Sequence, residues 1–163
     1  MRRPLETAAV SMLLAACAST PPKPPTPAEL LVAAPWNCET AIGPGAMKSV
    51  QTYKPDGTAT FTLDVKGGQG NMTVDAAGNG EAKWQLLEAD TKLQVTLGNL
   101  TVTRANLNGM NIDPALAQSM IGGYLAGQSA TSAVAITSTT LELTADDAKT
   151  SCTRPDPGPI KRK

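Results

Sequence analysis

The hydropathy pattern of this chain changes character three times. Residues 7–16 (TAAVSMLLAA) are a short, nearly unbroken apolar run. Residues 18–29 (ASTPPKPPTPAE) have no such run and are rich in proline. Beyond them Leu30-Leu31-Val32 forms an apolar patch the length of one helical turn, and alternation then takes over. Leu93, Val95 and Leu97 alternate with Gln94 and Thr96, the mark of a half-buried strand, and Leu100, Val102 and Arg104 carry the pattern on. Strands are predicted over 47–53 and 58–65, flanking Lys54-Pro55-Asp56-Gly57-Thr58. Pro55 presets φ and Gly57 accepts a positive φ, so this is a hairpin turn. Segments 72–75 and 82–87 flank Ala77-Gly78-Asn79-Gly80, read as a second turn, and Glu88-Ala89-Asp90 is a third. Segments 134–137 and 140–144 make another hairpin, and 149–154 serves as a closing strand.

One stretch leaves the alternating pattern. Asp113-Pro114 is a helix start, with aspartate as N-cap and proline in the first position. Leu116, Met120 and Tyr124 then recur every four residues, which predicts a helix from 114 to about 121, extendable to 125. Gly122-Gly123 weakens its end by ~1 kcal/mol per residue. Such a helix serves either as a lid over a barrel mouth or as a crossover packed on the sheet. Eight to ten short strands with one helix imply a mainly β fold: a small antiparallel β-barrel or highly curved sheet, with a two-sheet β-sandwich as the alternative. The chain divides into a signal peptide (1–16), a linker (17–30), a β domain (31–154) and a flexible tail (155–163).

The apolar run at 7–16 follows Arg2 and Arg3 and is too short to span a bilayer. It ends in Leu14-Ala15-Ala16-Cys17, which resembles the bacterial lipobox at all four positions. The resemblance implies acylation of the Cys17 thiol by chains such as palmitate, and cleavage before it. The proline-rich residues after Cys17 favour an extended form and reach roughly 40 Å, enough to lift a domain clear of lipid headgroups. Ala18 stands where aspartate is the usual inner-membrane retention signal. The expected address is therefore the cell envelope, on the outer membrane rather than the inner, with the domain in the periplasm or at the surface.

Removing residues 1–16 takes away Arg2, Arg3 and Glu6 and leaves 12 basic against 13 acidic residues. That balance gives no electrostatic reason to bind nucleic acid or anionic lipid. The aromatic residues number five (Trp36, Trp84, Tyr53, Tyr124, Phe61), too few for a stacking groove once the core has taken its share. The chain has no histidine, which removes the usual neutral-pH base and the commonest metal ligand. With Cys17 assigned to lipid, Cys38 and Cys152 remain as a pair in an oxidising compartment and are read as a disulfide, against the alternative of two separate thiols.

Three features together resemble small lipocalin-like lipoproteins of bacteria: Trp36-Asn37-Cys38 at the domain start, Tyr53-x-Pro55-Asp56-Gly57-Thr58 with a later Trp84, and terminal Cys152-Thr153-Arg154. In lipocalins a first-strand tryptophan closes one barrel end and a late arginine packs across it. The resemblance implies that Trp36 and Arg154 form this closing pair. Ala34 stands where lipocalins carry glycine. The pair is also reasonable physically, because an indole face attracts a guanidinium by ~0.5–2 kcal/mol.

Other chemistries find little support. Asp75-x-x-x-Asn79-Gly80 has Ala77 and Leu86 where a calcium loop needs oxygen ligands, so it is read as a hairpin turn. Gly67-Gly68-Gln69-Gly70 is too short for a dinucleotide fingerprint and is read as a loop. Asp146-Asp147 is read as a solvated turn. No cofactor or metal is expected, and no enzymatic activity. Two function classes remain. One is a membrane-anchored, non-enzymatic envelope module that binds a small apolar ligand or a partner protein. The other is a small-barrel protease inhibitor whose N-terminal segment enters a protease cleft. An open apolar cavity favours the ligand; a filled barrel favours a protein partner. Replacing Cys17→Ser should release the protein from membranes, because each lost acyl chain contributes ~0.8 kcal/mol per buried methylene. Detergent phase partitioning should move the variant into the aqueous phase.

Overall fold

The computed structural model describes residues 23–69, 71–146 and 148–158. Cys17 and the signal segment lie outside the described residues. The first element contradicts the extended linker expected up to residue 30. Thr26 and Glu29 form a capping box: the Thr26 hydroxyl accepts from the Glu29 N–H, and the Glu29 carboxylate accepts from the Thr26 N–H. With Pro27 in the first turn, this starts α1 (Pro27–Val32), whose Leu30 and Leu31 are buried. Among the described residues, regular structure therefore begins at Thr26. The Thr26-Pro27-Ala28-Glu29 spacing already carried that signal.

Nine strands follow: β1 (Trp36–Ile42), β2 (Gly45–Tyr53), β3 (Thr58–Gln69), β4 (Met72–Leu87), β5 (Lys92–Leu107), β6 (Met110–Ile112), β7 (Ser129–Ile136), β8 (Thr140–Ala145) and β9 (Ala148–Thr153). Every pairing is antiparallel. β4 pairs with both β3 and β5, and β1 with both β2 and β9, so eight strands close into a barrel and β6 is added on β5. The barrel is the expected fold class; the sandwich is not adopted.

The sequence misplaced several turns. Ala77-Gly78-Asn79-Gly80 is not a turn but the middle of β4, a single strand of 16 residues. Gly67 and Gly68 likewise lie inside β3, and the chain reverses after Gln69. Barrel packing leaves no room for a side chain at Gly68, Gly78 and Gly80. A Cβ on Gly80 would collide with the Asn99 carbonyl and the Phe61 ring, and one on Gly78 would lie 2.7 Å from the Thr101 carbonyl oxygen. β5 is also one 16-residue strand, with two register shifts opposite β4. Ala82 pairs with Leu97 but Glu81 with Asn99, and Gly78 pairs with Val102 but Ala77 with Arg104. Gly98 and Thr103 are thus the extra residues of two bulges. They re-phase the strand so that Leu93, Val95, Leu97, Leu100, Val102, Ala105 and Leu107 all point inward, while Arg104 points outward to Asp64 (2.9 Å) and Asp75 (2.8 Å).

The expected helix is present as α2 (Pro114–Leu125), capped by Asp113, whose carboxylate accepts from the Ala115 N–H. It connects β6 to β7 and packs along β5. β5 pairs with β7 only from Lys92 to Thr96 and with β6 only from Ala105 to Leu107. Between them, Leu97 exchanges backbone hydrogen bonds with Gly127 and Gln128. The Gln118 side chain then acts as a strand would: its Oε1 accepts from the Val102 N–H (2.7 Å) and its Nε2 donates to the Leu100 carbonyl (2.5 Å). One amide thereby seals an edge that would otherwise leave ladder groups unpaired. Gln118→Leu should remove both bonds and destabilise the barrel by about 1–3 kcal/mol. Thermal denaturation should show a lower midpoint, with β-type circular dichroism retained at low temperature.

Candidate functional site

The turns of the barrel define two unlike ends. One end gathers α1, the β2–β3, β4–β5 and β7–β8 turns, and the chain after β9. The other gathers the β1–β2, β3–β4, β5–β6 and β8–β9 connections.

The first end is closed. Trp36 is fully buried, and its indole Nε1 donates to the Leu31 carbonyl at 3.0 Å, which fixes α1 beneath the barrel. The Arg154 guanidinium carbon lies 3.7 Å from the Trp36 ring centroid. Its Nε donates to the Ser138 carbonyl (2.8 Å) and its Nη1 to the Ala34 carbonyl (3.1 Å). Ala34 contributes through its backbone, so a glycine is not needed there. Arg154 is 4% exposed, and its Nη2 is buried without a hydrogen-bond partner among the described residues. Burial pushes the Arg154 pKa down, and nearby Asp156 partly offsets this. Leu31, Trp36, Cys38, Tyr53, Ala59, Ala82, Leu93, Leu141 and Cys152 form one buried cluster at this end.

Cys38 and Cys152 face each other across β1 and β9 and are bonded, with S–S at 2.08 Å and Cα atoms 3.9 Å apart. The expected disulfide thus closes a loop spanning 114 positions, with a stabilisation ceiling of about 4–5 kcal/mol in the chain-entropy picture. Trp84, singled out beside the Pro55-Asp56-Gly57 turn, donates its indole N–H to the Lys54 and Thr58 carbonyls and meets Tyr53 edge-on at 5.8 Å. Trp36, Arg154, Cys38 and Cys152 therefore come together as one closing structure.

The second end is open. Several inward positions here are apolar yet not fully buried. Ile42, Val65, Gly67, Met72 and Val74, with Gly43, Pro44 and Gly68, line a cavity of about 520 Å³. Ile42 is 42% exposed and Met72 53%. Met110 on β6 and Leu116 and Met120 on α2 are also exposed. This mouth was not found from the sequence. A second concavity, about 560 Å³, lies on the outer face of β1, β2, β3 and β9 among Asn37, Glu39, Lys48, Val50 and Asp64, and is open to solvent.

The register places only uncharged side chains inside the barrel wall. Among the described residues no group of three or more His, Cys, Asp or Glu side chains could hold a metal ion. None of the described helices is long and apolar enough to cross a membrane. No protein-family model matches the chain, and no curated protein does.

Arg154→Lys keeps the charge but loses the planar fork that serves two carbonyls and the flat stack on Trp36. It should lower stability by about 2 kcal/mol. Chemical denaturation should measure that loss, with a red shift of tryptophan emission as water reaches Trp36.

Proposed function

We propose that this protein is a lipid-anchored, non-enzymatic carrier of the cell envelope whose open barrel mouth takes a small apolar ligand. The observation that carries the reading is the cavity at the open end. At about 520 Å³ it falls in the size range of small-molecule sites, roughly 300–1,000 Å³. Its walls are Ile42, Pro44, Val65, Met72 and Val74, side chains that gain from leaving water only if something apolar covers them. The opposite end is filled by Trp36, Leu31 and Arg154 and offers no entry.

The direction of the chain adds to this. α1 enters at the closed end, so an anchor on Cys17 attaches on the side away from the mouth. The eight residues 18–25 allow about 25 Å of extended tether. The mouth then faces the aqueous side of the membrane that holds the lipid, the outer membrane on the strength of Ala18. The inhibitor alternative loses part of its footing, because residues from Thr26 onward are folded against the barrel and not free to enter a cleft.

N-phenyl-1-naphthylamine, a neutral apolar dye, should brighten on binding the wild-type protein. Val74→Asp places a charge in the mouth, where desolvation opposes it, and should weaken dye binding at least about tenfold. Because Val74 is only half-buried, the melting midpoint should shift little. A dye that binds both proteins equally would sink the reading.

A further inference from the structure

Below its apolar rim the barrel carries a band of hydroxyl and amide groups. On the inner face of β2 lie Ser49, Gln51 and Tyr53, opposite Cys38 and Trp36 on one side and Leu63, Phe61 and Ala59 on the other. The Tyr53 hydroxyl donates to Gln51 Oε1 at 2.7 Å, and Gln51 Nε2 donates to Ser49 Oγ at 3.0 Å. The direction of this chain is forced. Tyr53 is 4% exposed and has one proton to place, and Gln51 Oε1 is its acceptor among the described residues. That fixes the amide so that its NH₂ faces Ser49, and the Ser49 oxygen is then an acceptor. Its own proton has no acceptor among the described residues. On the neighbouring strands, Thr40 of β1 and Thr150 of β9 share one hydrogen bond at 2.7 Å, which leaves a second hydroxyl proton unspent.

From this geometry we infer that the ligand is a neutral amphiphile that carries a hydrogen-bond acceptor, such as a ketone or ester oxygen, and that Ser49 is its specificity-determining donor. The inference rests on the mouth reading above. Ser49 lies four residues below Gly45 on β2, roughly 13 Å along the strand. An apolar chain in the mouth therefore places an oxygen at the band only if the oxygen sits towards one end of the molecule. Met47, Ser49, Leu63 and Val65 share the inner face between rim and band, and all four are half-buried. A carboxylate is disfavoured, because no inward position of the strands is cationic and Arg154 is held beneath Trp36. A plain alkane forgoes the waiting donors and leaves them dry.

Full-length protein in lipid nanodiscs, with empty nanodiscs subtracted, allows the test by displacement of N-phenyl-1-naphthylamine. Decan-2-one should displace the dye at about five- to tenfold lower free concentration than decane, the weight of one neutral hydrogen bond. Decanoate at pH 8 should also be weaker than the ketone. Ser49→Ala should bring the ketone level with decane, and Ser49→Thr, which keeps the hydroxyl, should retain the preference. Dye binding with ketone and decane equal on wild-type protein, or a preference that survives Ser49→Ala, would overturn the inference and leave the mouth reading standing. Failure of the dye to bind wild-type protein would remove the mouth reading, and this inference with it.

Discussion

An eight-stranded sheet becomes a barrel only when its first and last strands meet, and here that seam joins β1 to β9 across almost the whole domain. Bringing them together carries the largest loop-closure entropy in the fold. Four kinds of contact oppose that entropy within a few residues. Cys38 is bonded to Cys152, the Thr40 and Thr150 hydroxyls meet at 2.7 Å, and the ladder runs from Asn37–Thr153 to Thr40–Thr150. Arg154, the residue after β9, then stacks on Trp36, the residue that begins β1. Its backbone N–H donates to Thr139, which ties the same point to the β7–β8 turn. The closed end, the docking of α1 and the register of the inner face all follow from this seam.

The seam was legible in the sequence and the long strands were not, for the same physical reason. Cysteine and the Trp–Arg pair are chemically distinctive, so counting and chemistry alone could match them. Glycine has two uses that look alike in a sequence. Gly57 sits in a turn at φ 81°, whereas Gly78 and Gly80 sit in mid-strand because neighbouring backbone and the Phe61 ring leave no room for a Cβ. Only the packed barrel distinguishes the two. Gly98 and Thr103 shift the alternation of β5, so a two-residue period continued from Leu100 and Val102 misassigns Arg104 to the inner face when it belongs to the outer Asp64–Asp75 cluster. The Thr26–Glu29 capping box, in contrast, was readable and was passed over because the prolines around it suggested an extended linker.

The mouth was hidden for a further reason. Ile42, Val65, Met72 and Val74 each obey ordinary strand alternation, and nothing local marks them as rim rather than core. What marks them is the location of the cap. α1 and Trp36 fill one end, so the equivalent apolar positions at the other end remain uncovered. Gln118 contributes indirectly. By completing the β5 edge with a side chain, it lets α2 stand where another strand would run.

The inner face therefore has an order from floor to rim: aromatic and aliphatic, then hydroxyl and amide, then aliphatic again. For stability alone the middle band supplies the Thr40–Thr150 contact at the seam and an acceptor for the buried Tyr53 hydroxyl, but Ser49 adds little. Hydroxyls contribute little net energy when satisfied and are unfavourable when buried without a partner, and Val at position 49 would add apolar burial. A polar layer between two apolar ones does serve a purpose if a molecule enters from the rim. On the reading proposed above it would hold an entering oxygen at a fixed depth, while the floor, locked by Trp36 and Arg154, would stop the molecule from passing through. Closing one end of the barrel and spacing the polar layer are thus two parts of one arrangement, and the seam between β1 and β9 fixes both, because Thr40, Cys38 and Trp36 lie on the same face of β1.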